Sequence, residues 1–401
     1  MTDIAIVGAG QAGAALAAKL RAEGHAGRIV MVGEEPAPPY QRPPLSKKYL
    51  LGEFPAERLQ LRPPAFWEEQ GVELILGARV AEIDRAAGRL RLEDGAAIPW
   101  DKLALTTGAR PRRLPEAIGG ALPGVHVLRT LADVDRLAPE LREGARALVV
   151  GGGYIGLEAA AAFAGRGLRT TLLEAAPRIL ARVASAETAA WFRDLHLRHG
   201  VDLREGAALA RLEGDGRVRR AVLEGGEAID VDFVLVGIGV IPNDELARAA
   251  GIATSNGILV DARGATSDPN VFAAGDVTEF PWRGRRLRLE SVQNAIDQAE
   301  AAALAMLGRE VSYDPVPWFW SDQYDVKLQI AGLGTGAGRV VVRPGAREGT
   351  VSHWHFAGPE LLSVDAMNDP RAYMTGKRWL EAGRHPDPDA LADPSTDLRA
   401  L

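Results

Sequence analysis

The residues of this 401-residue chain best suited to chemistry sit in two short glycine-rich stretches, and both suit the holding of phosphates. The first, Gly8-Ala9-Gly10-Gln11-Ala12-Gly13, follows the apolar run Ile4, Ala5, Ile6, Val7 at once and opens an Ala-rich helical stretch to about Glu23. Four apolar residues in a row are the mark of a strand buried on both faces. In such a strand–turn–helix Gly8 permits the tight turn, Gly10 lets the backbone approach a pyrophosphate, and Gly13 lets helix and strand pack closely. The free N–H groups of the helix N-terminus would face the phosphates. Glu34, closing a second strand over 28–32, can accept both hydroxyls of a ribose. Alone the glycines also fit a bare turn; with strand, helix and a following acid they read as a dinucleotide socket.

The elements that position these residues occur twice. Leu148, Val149 and Val150 lead into Gly151-Gly152-Gly153-Tyr154-Ile155-Gly156, a helical stretch through Phe163, a strand over 170–173, and Glu174. The echo extends past the glycines. Gly71-Val72-Glu73-Leu74 returns as Gly200-Val201-Asp202-Leu203, and 101–111, with Gly108, returns as 232–242, with Gly237 and Gly239. Internal duplication is stronger evidence than either motif alone, and it predicts two dinucleotide sites in an α/β chain.

Three further stretches carry candidate chemistry. The proline-rich run 38–47 holds two cations, Arg42 and Lys47, with Ser46 placed to cap a helix through Tyr49 and Leu50. It reads equally as a solvated loop or as a stiff mount for charges near a phosphate or an electron-rich ring. A short strand ending in Gly275-Asp276 offers a carboxylate to a polyol hydroxyl, or is a simple turn; an amphipathic helix over 290–307 follows it. The tail from Pro315 opens on the aromatic cluster 318–324, which reads first as core. Four strand-like runs follow, over 328–333, 339–342, 350–356 and 361–367, then a helix near 373–382. Together they predict a small α+β domain, with a surface wrap over 385–401.

Composition removes several classes. Apolar residues at 47% and charged ones at 25% are ordinary for a globular protein, and 401 residues call for two or three domains. The net charge of −6 argues against nucleic acid. The absence of cysteine excludes disulfides, thiolate metal sites and redox-active thiols. His196 with His199, and His353 with His355, lack a third ligand, so no metal is expected and these read as surface or half-buried histidines. With no signal peptide and no membrane helix in view, the expected location is cytoplasmic.

Taken together, 42–47, 151–158, 290–294 and 318–324 are identified with the two-dinucleotide flavoprotein reductases. They most resemble the oxygenase-coupled ferredoxin–NAD(+) reductases, the group of putidaredoxin reductase and of the reductases of aromatic-ring dioxygenases. The resemblance covers essentially the whole chain. It implies a glutathione-reductase-like architecture of two Rossmann-like domains plus a C-terminal α+β domain. FAD would take 1–111 and 243–315, NAD 112–242, and the third domain 316–401. In the FAD site it implies Gly8, Gly10, Ala12 and Gly13 at the pyrophosphate, Glu34 on the ribose, Val80 on the adenine, Arg129 on the phosphates, Asp276 on the ribitol, and Arg42 among the residues that bind FAD. Lys47 would lie beside the flavin, paired with a carboxylate such as Glu158, and Val292 would meet the flavin's pyrimidine end. In the NAD site it implies Gly151, Gly153, Gly156, Gly237, Ile238 and Gly239 along the pyrophosphate, Tyr154, Ile155 and Glu158 around the nicotinamide, and Glu174 on the ribose. Trp320 would cover the stacked rings.

The implied reaction is hydride transfer from NADH to FAD, then single electrons to a 2Fe–2S ferredoxin that feeds a haem or Rieske-type oxygenase. Glu174 would repel a 2′-phosphate by about 4 kcal/mol at roughly 4 Å and an effective dielectric near 20, unless Arg178 or Arg182 offset it, so NADH is expected over NADPH. Ferredoxins of this type are acidic, and the expected dock is Arg286 and Arg288 with Arg283 and Arg285, which otherwise read as a solvated loop. Disulfide and peroxide reductases need the missing cysteine. A redox-sensing protein like apoptosis-inducing factor shares the Arg-Pro-Pro-Leu-Ser-Lys stretch, and an NADH oxidase is the remaining rival.

Overall fold

The computed structural model describes residues 2–401. They form two compact units. The first comprises the chain up to Arg42, Ala56–Arg110 and Val240–Pro315; the second comprises Pro43–Pro55, Pro111–Gly239 and Val316–Leu401.

The first unit is built on a parallel five-stranded sheet. Ile4–Val7 lies at its centre between Ile29–Gly33 and Lys102–Leu105, with Val72–Leu76 and Val271–Ala273 at the edges. Every residue of Ile4–Val7 and Ile29–Gly33 is buried, which is why these strands read as apolar runs without alternation. The helix Gln11–Ala22 turns Ala14, Leu16, Ala17 and Leu20 into a core shared with Ala295, Ala299, Ala302 and Met306 of the helix Val292–Met306. A three-stranded antiparallel sheet, Val80–Asp84, Arg89–Leu92 and Ala97–Pro99, turns at Gly88 and Gly95, both at positive φ.

The second unit repeats the plan. Its parallel sheet runs Asp202–Glu205, Arg169–Glu174, Arg146–Val150, Phe233–Val236, Val125–His126, so the strand before each glycine loop has equivalent neighbours in both units. The C-terminal part is a five-stranded antiparallel sheet in the order Trp318–Gln323, Val326–Gly332, Glu360–Met367, Val351–Ala357, Arg339–Pro344. The helix Pro370–Glu381 packs Tyr373 and Trp379 onto Trp354, Phe356 and Val364 of that sheet.

Several local expectations change. The aromatic stretch is itself an edge strand, and its burial is inverted: Trp318, Phe319 and Trp320 are half-buried while Ser321 and Gln323 are fully buried. Ser46 caps no helix; it ends a 3-10 turn, Pro43–Ser46, and its hydroxyl points to a carboxylate. The final residues do more than wrap the surface. Leu391 and Leu398 enter the core, and the Arg343 guanidinium donates to the carbonyls of Leu391, Asp393, Pro394 and Thr396. His196, His353 and His355 are buried rather than surface residues, each facing a polar neighbour. No group of three potential metal ligands occurs, and no helix is long and apolar enough to cross a membrane, among the described residues.

Candidate functional site

The glycine loop of the first unit has a closed inner face and an open outer one. Gly8 takes φ +115°, and a Cβ there would strike the Thr106 carbonyl. A Cβ on Gly13 would strike the carbonyl of Gly8. At Gly10, the helix N-cap, a Cβ would meet nothing within 4 Å. A loop that demands glycine on the packed side and leaves its amides uncapped on the other is the shape a pyrophosphate requires.

Around it, Glu34 is exposed just past the end of its strand. A Cβ on Gly275 would lie 3.1 Å from that of Ala12, so the turn carrying half-buried Asp276 abuts the glycine loop. Val292 begins its helix behind Ser291, whose hydroxyl accepts from the Asn294 amide. Val80 is buried at a strand start, where the ladder slips one residue before Glu82. Arg42 is held by a carboxylate the sequence did not single out: Glu35 accepts from Arg42 at 2.7 Å and from the Tyr40 hydroxyl at 2.6 Å.

The second loop repeats the geometry. A Cβ on Gly151 would strike the Gly237 carbonyl and one on Gly156 the Gly151 carbonyl, while Gly153 opens on nothing within 4 Å. The amide of Gly237 donates to Val150, Ile238 follows half-buried, and Gly239 takes φ +99° beside Arg182. Glu174 accepts from the amides of Gly152 and Ala176. Arg178 turns both terminal nitrogens of its guanidinium to backbone, donating to the carbonyls of Ile179, Ala181, Ala184 and Ser185. Ile155 is 42% exposed at the loop. The Tyr154 ring lies 4.6 Å from that of Phe319, and burial pushes its phenol pKa well up, with its hydroxyl unpartnered. Arg129, in the same unit, precedes the helix Leu131–Leu137 and donates its amide to Asp133.

The strongest constellation centres on Glu158, one turn into the helix Tyr154–Gly165 and 6% exposed. Its Oε2 accepts from Lys47 Nζ at 2.7 Å and from Ser46 Oγ at 2.5 Å; its Oε1 accepts from Ser321 Oγ at 2.7 Å. Lys47 thus meets Glu158 across 111 positions of sequence. Trp320, next to Ser321, stacks on Trp318 at 5.7 Å. Sequence reasoning missed Ser46 in this role, together with Ser321, Gln323 and His196. The available signal was the pair of polar residues at alternate positions of an aromatic run, the buried face of a strand.

The proposed dock is only partly on the surface. Arg288 is 11% exposed, paired with Glu290 at 2.7 Å and bonded to the Asp276 carbonyl, and Arg286 donates to the carbonyls of Val260 and Glu279. Arg283 and Arg285 are exposed, and their guanidiniums lie 4.9 and 5.1 Å from the Trp282 ring centroid.

Comparison with known proteins agrees with this geometry. Residues 2–299 match the pyridine nucleotide-disulphide oxidoreductase family and 318–401 the reductase C-terminal domain. The chain is 43% identical to rhodocoxin reductase of Rhodococcus erythropolis, covering 99% of this chain and 93% of that one. It is 44% identical to the ferredoxin–NAD(+) reductase component of the biphenyl dioxygenase system of Paraburkholderia xenovorans, over 99% and 98% of the two chains. Among solved structures, the reductase of the covalent putidaredoxin reductase–putidaredoxin complex superposes with a TM-score of 0.95 at 38% identity, over 99% of this chain and 97% of that chain. Proteins of this family use FAD and NAD(P)H, and both glycine loops have the open face such cofactors need. With its two dinucleotide folds and its reductase-type third sheet, this chain belongs to the pyridine nucleotide-disulphide oxidoreductase family, in the branch of the ferredoxin–NAD(+) reductases.

Proposed function

We propose that this protein is an NADH-dependent ferredoxin reductase that passes single electrons to a 2Fe–2S ferredoxin serving a haem or Rieske-type oxygenase. The observation that carries the reading is the buried Lys47–Glu158 pair in a chain with two dinucleotide loops and no cysteine. Bound FAD supplies the conversion between a two-electron donor and a one-electron acceptor.

The chain's own residues bind and orient. In our reading residues 1–111 and 243–315 hold FAD, 112–242 hold the nicotinamide cofactor, and 316–401 form the third domain. Gly8, Gly10, Ala12 and Gly13 admit the FAD pyrophosphate, Glu34 takes its ribose, Val80 its adenine and Asp276 its ribitol. Arg42 and Arg129 balance phosphate charge, and Val292 presents its helix terminus to the ring. Gly151, Gly153, Gly156 and 237–239 admit the second pyrophosphate, with Tyr154 and Ile155 at the nicotinamide. Lys47 supplies positive charge to the flavin, Glu158 keeps that cation in place, and Trp320 excludes water from the stacked rings.

Glu174 selects NADH. Arg178 cannot compensate a 2′-phosphate because its guanidinium is spent on four carbonyls, which leaves Arg182, beside Gly239, as the one named cation that could oppose this preference. The dock centres on Arg283 and Arg285, with Arg286 beside them and Arg288 as the buried anchor. We place the reaction in the cytoplasm, the compartment that supplies NADH. The test is NADH-driven reduction of cytochrome c with and without an added 2Fe–2S ferredoxin. The reading requires a rate that depends on ferredoxin; an equal rate without it, with peroxide accumulating, would establish an oxidase instead.

A further inference from the structure

Glu158 is the end of a longer line of hydrogen bonds. Ser321 Oγ lies 2.7 Å from its carboxylate, Gln323 Nε2 lies 3.2 Å from Ser321 Oγ, Gln323 Oε1 lies 2.8 Å from His196 Nε2, and His196 Nδ1 lies 3.1 Å from the Tyr324 hydroxyl. Ser321, Gln323 and His196 are each no more than 1% exposed, so water does not complete these contacts.

The charge on Glu158 sets the direction of the whole line. Three donors face the carboxylate: Lys47, Ser46 and Ser321. An ionised carboxylate only accepts, so the single Ser321 hydrogen goes to Glu158. Ser321 then accepts from Gln323, which turns the amide nitrogen toward Ser321 and the amide oxygen toward His196. That oxygen cannot donate, so His196 carries its hydrogen on Nε2. Its Nδ1 is left to accept from Tyr324. Burial, the largest cause, holds His196 down to about 4, with His199 adding to the effect and Gln323 opposing it. The imidazole is therefore neutral near pH 7, as the line demands. If Glu158 carried a proton and gave it to Ser321, every bond would reverse and the hydrogen would sit on His196 Nδ1.

We propose that Ser321, Gln323 and His196 are positioning residues, a hydrogen-bond line of single polarity that keeps the Glu158 carboxylate turned toward Lys47. Bonds aligned head to tail reinforce one another in a dry interior. The inference rests on the reading of Glu158 and Lys47 as residues of the cofactor site, and it assigns them a support reaching to the helix Ala186–Arg198.

The experiment is long-range proton–nitrogen NMR on protein labelled at its histidines, with His196 assigned by His196→Gln. A neutral Nε2–H tautomer across roughly pH 6 to 8 is expected; an Nδ1–H tautomer or an imidazolium would overturn the direction of the line. In stopped-flow reactions, Ser321→Ala should slow flavin reduction by NADH about tenfold, the order of one hydrogen bond to a charge, and His196→Leu, which removes a bond between neutral groups, about threefold. NAD+ affinity should stay as in wild type. His196→Gln, which can restore a donor toward Gln323, should recover most of the rate. Wild-type rates in Ser321→Ala and His196→Leu would overturn the positioning role. Failure of the wild-type flavin to bleach would instead overturn the reductase reading, since the tautomer is measured without NADH.

Discussion

Lys47 and Glu158 are neutralised by one another in surroundings that leave 18% and 6% of their side chains in water. Removing the cation strands a carboxylate with two hydroxyl donors and no counter-charge. Lys47→Met, which keeps the aliphatic stem, should therefore lower unfolding stability by ~2–4 kcal/mol in urea titrations, as breaking a buried pair does. It should also slow flavin reduction. Unchanged stability would show that the pair is effectively solvated. The buried histidines give a second residue-scale prediction. Burial is the largest cause in holding both His196 and His353 to about 4, whereas an unfolded histidine titrates near 6.5. Between those values the unfolded chain binds more protons, so stability falls as pH falls. The two groups together contribute a slope approaching ~2.7 kcal/mol per pH unit. Their contribution is complete above about pH 6.5. Urea midpoints measured stepwise from pH 7 to 4.5 check the sign, and a slope smaller than one proton would contradict it.

At the scale of elements, each glycine loop separates packing from binding. Gly13→Ala and Gly156→Ala force a Cβ onto a backbone carbonyl and should unfold or grossly destabilise their units. Gly10→Ala and Gly153→Ala meet no protein atom, so they should leave the apo-protein's melting temperature within a few degrees while weakening cofactor retention. Equal melting losses in both pairs would deny the open face. These loops were legible in the sequence because their strands are buried throughout and their helices begin on glycine. The strand Trp318–Gln323 was not, because its buried face is polar. Ser321 and Gln323 are inside to bond Glu158 and His196, partners that lie 163 and 127 residues away. Ser46 misled for the same reason, since a hydroxyl before a helix-like run looks like a cap until a distant carboxylate claims it. The tail looks like polar wrapping in the sequence because the donors that let its carbonyls go inside come from Arg343, 48 residues upstream of Leu391.

At the scale of the whole molecule, the chain combines a net charge of −6 with a local cationic hairpin. Arg283 and Arg285 both lie about 5 Å from the Trp282 ring, so an acidic partner would meet a field opposite to that of the chain as a whole. The absence of cysteine leaves electrons no thiol through which to leave. Both facts favour an outgoing one-electron carrier that is a separate protein. The most direct measurement is an anaerobic double-mixing stopped-flow experiment: purified flavoprotein with NADH, then an oxidised 2Fe–2S ferredoxin. The expected result is rapid bleaching by NADH, far slower bleaching by NADPH, and reoxidation by ferredoxin much faster than by oxygen. Slow bleaching to a long-lived complex that no 2Fe–2S ferredoxin reoxidises would contradict it.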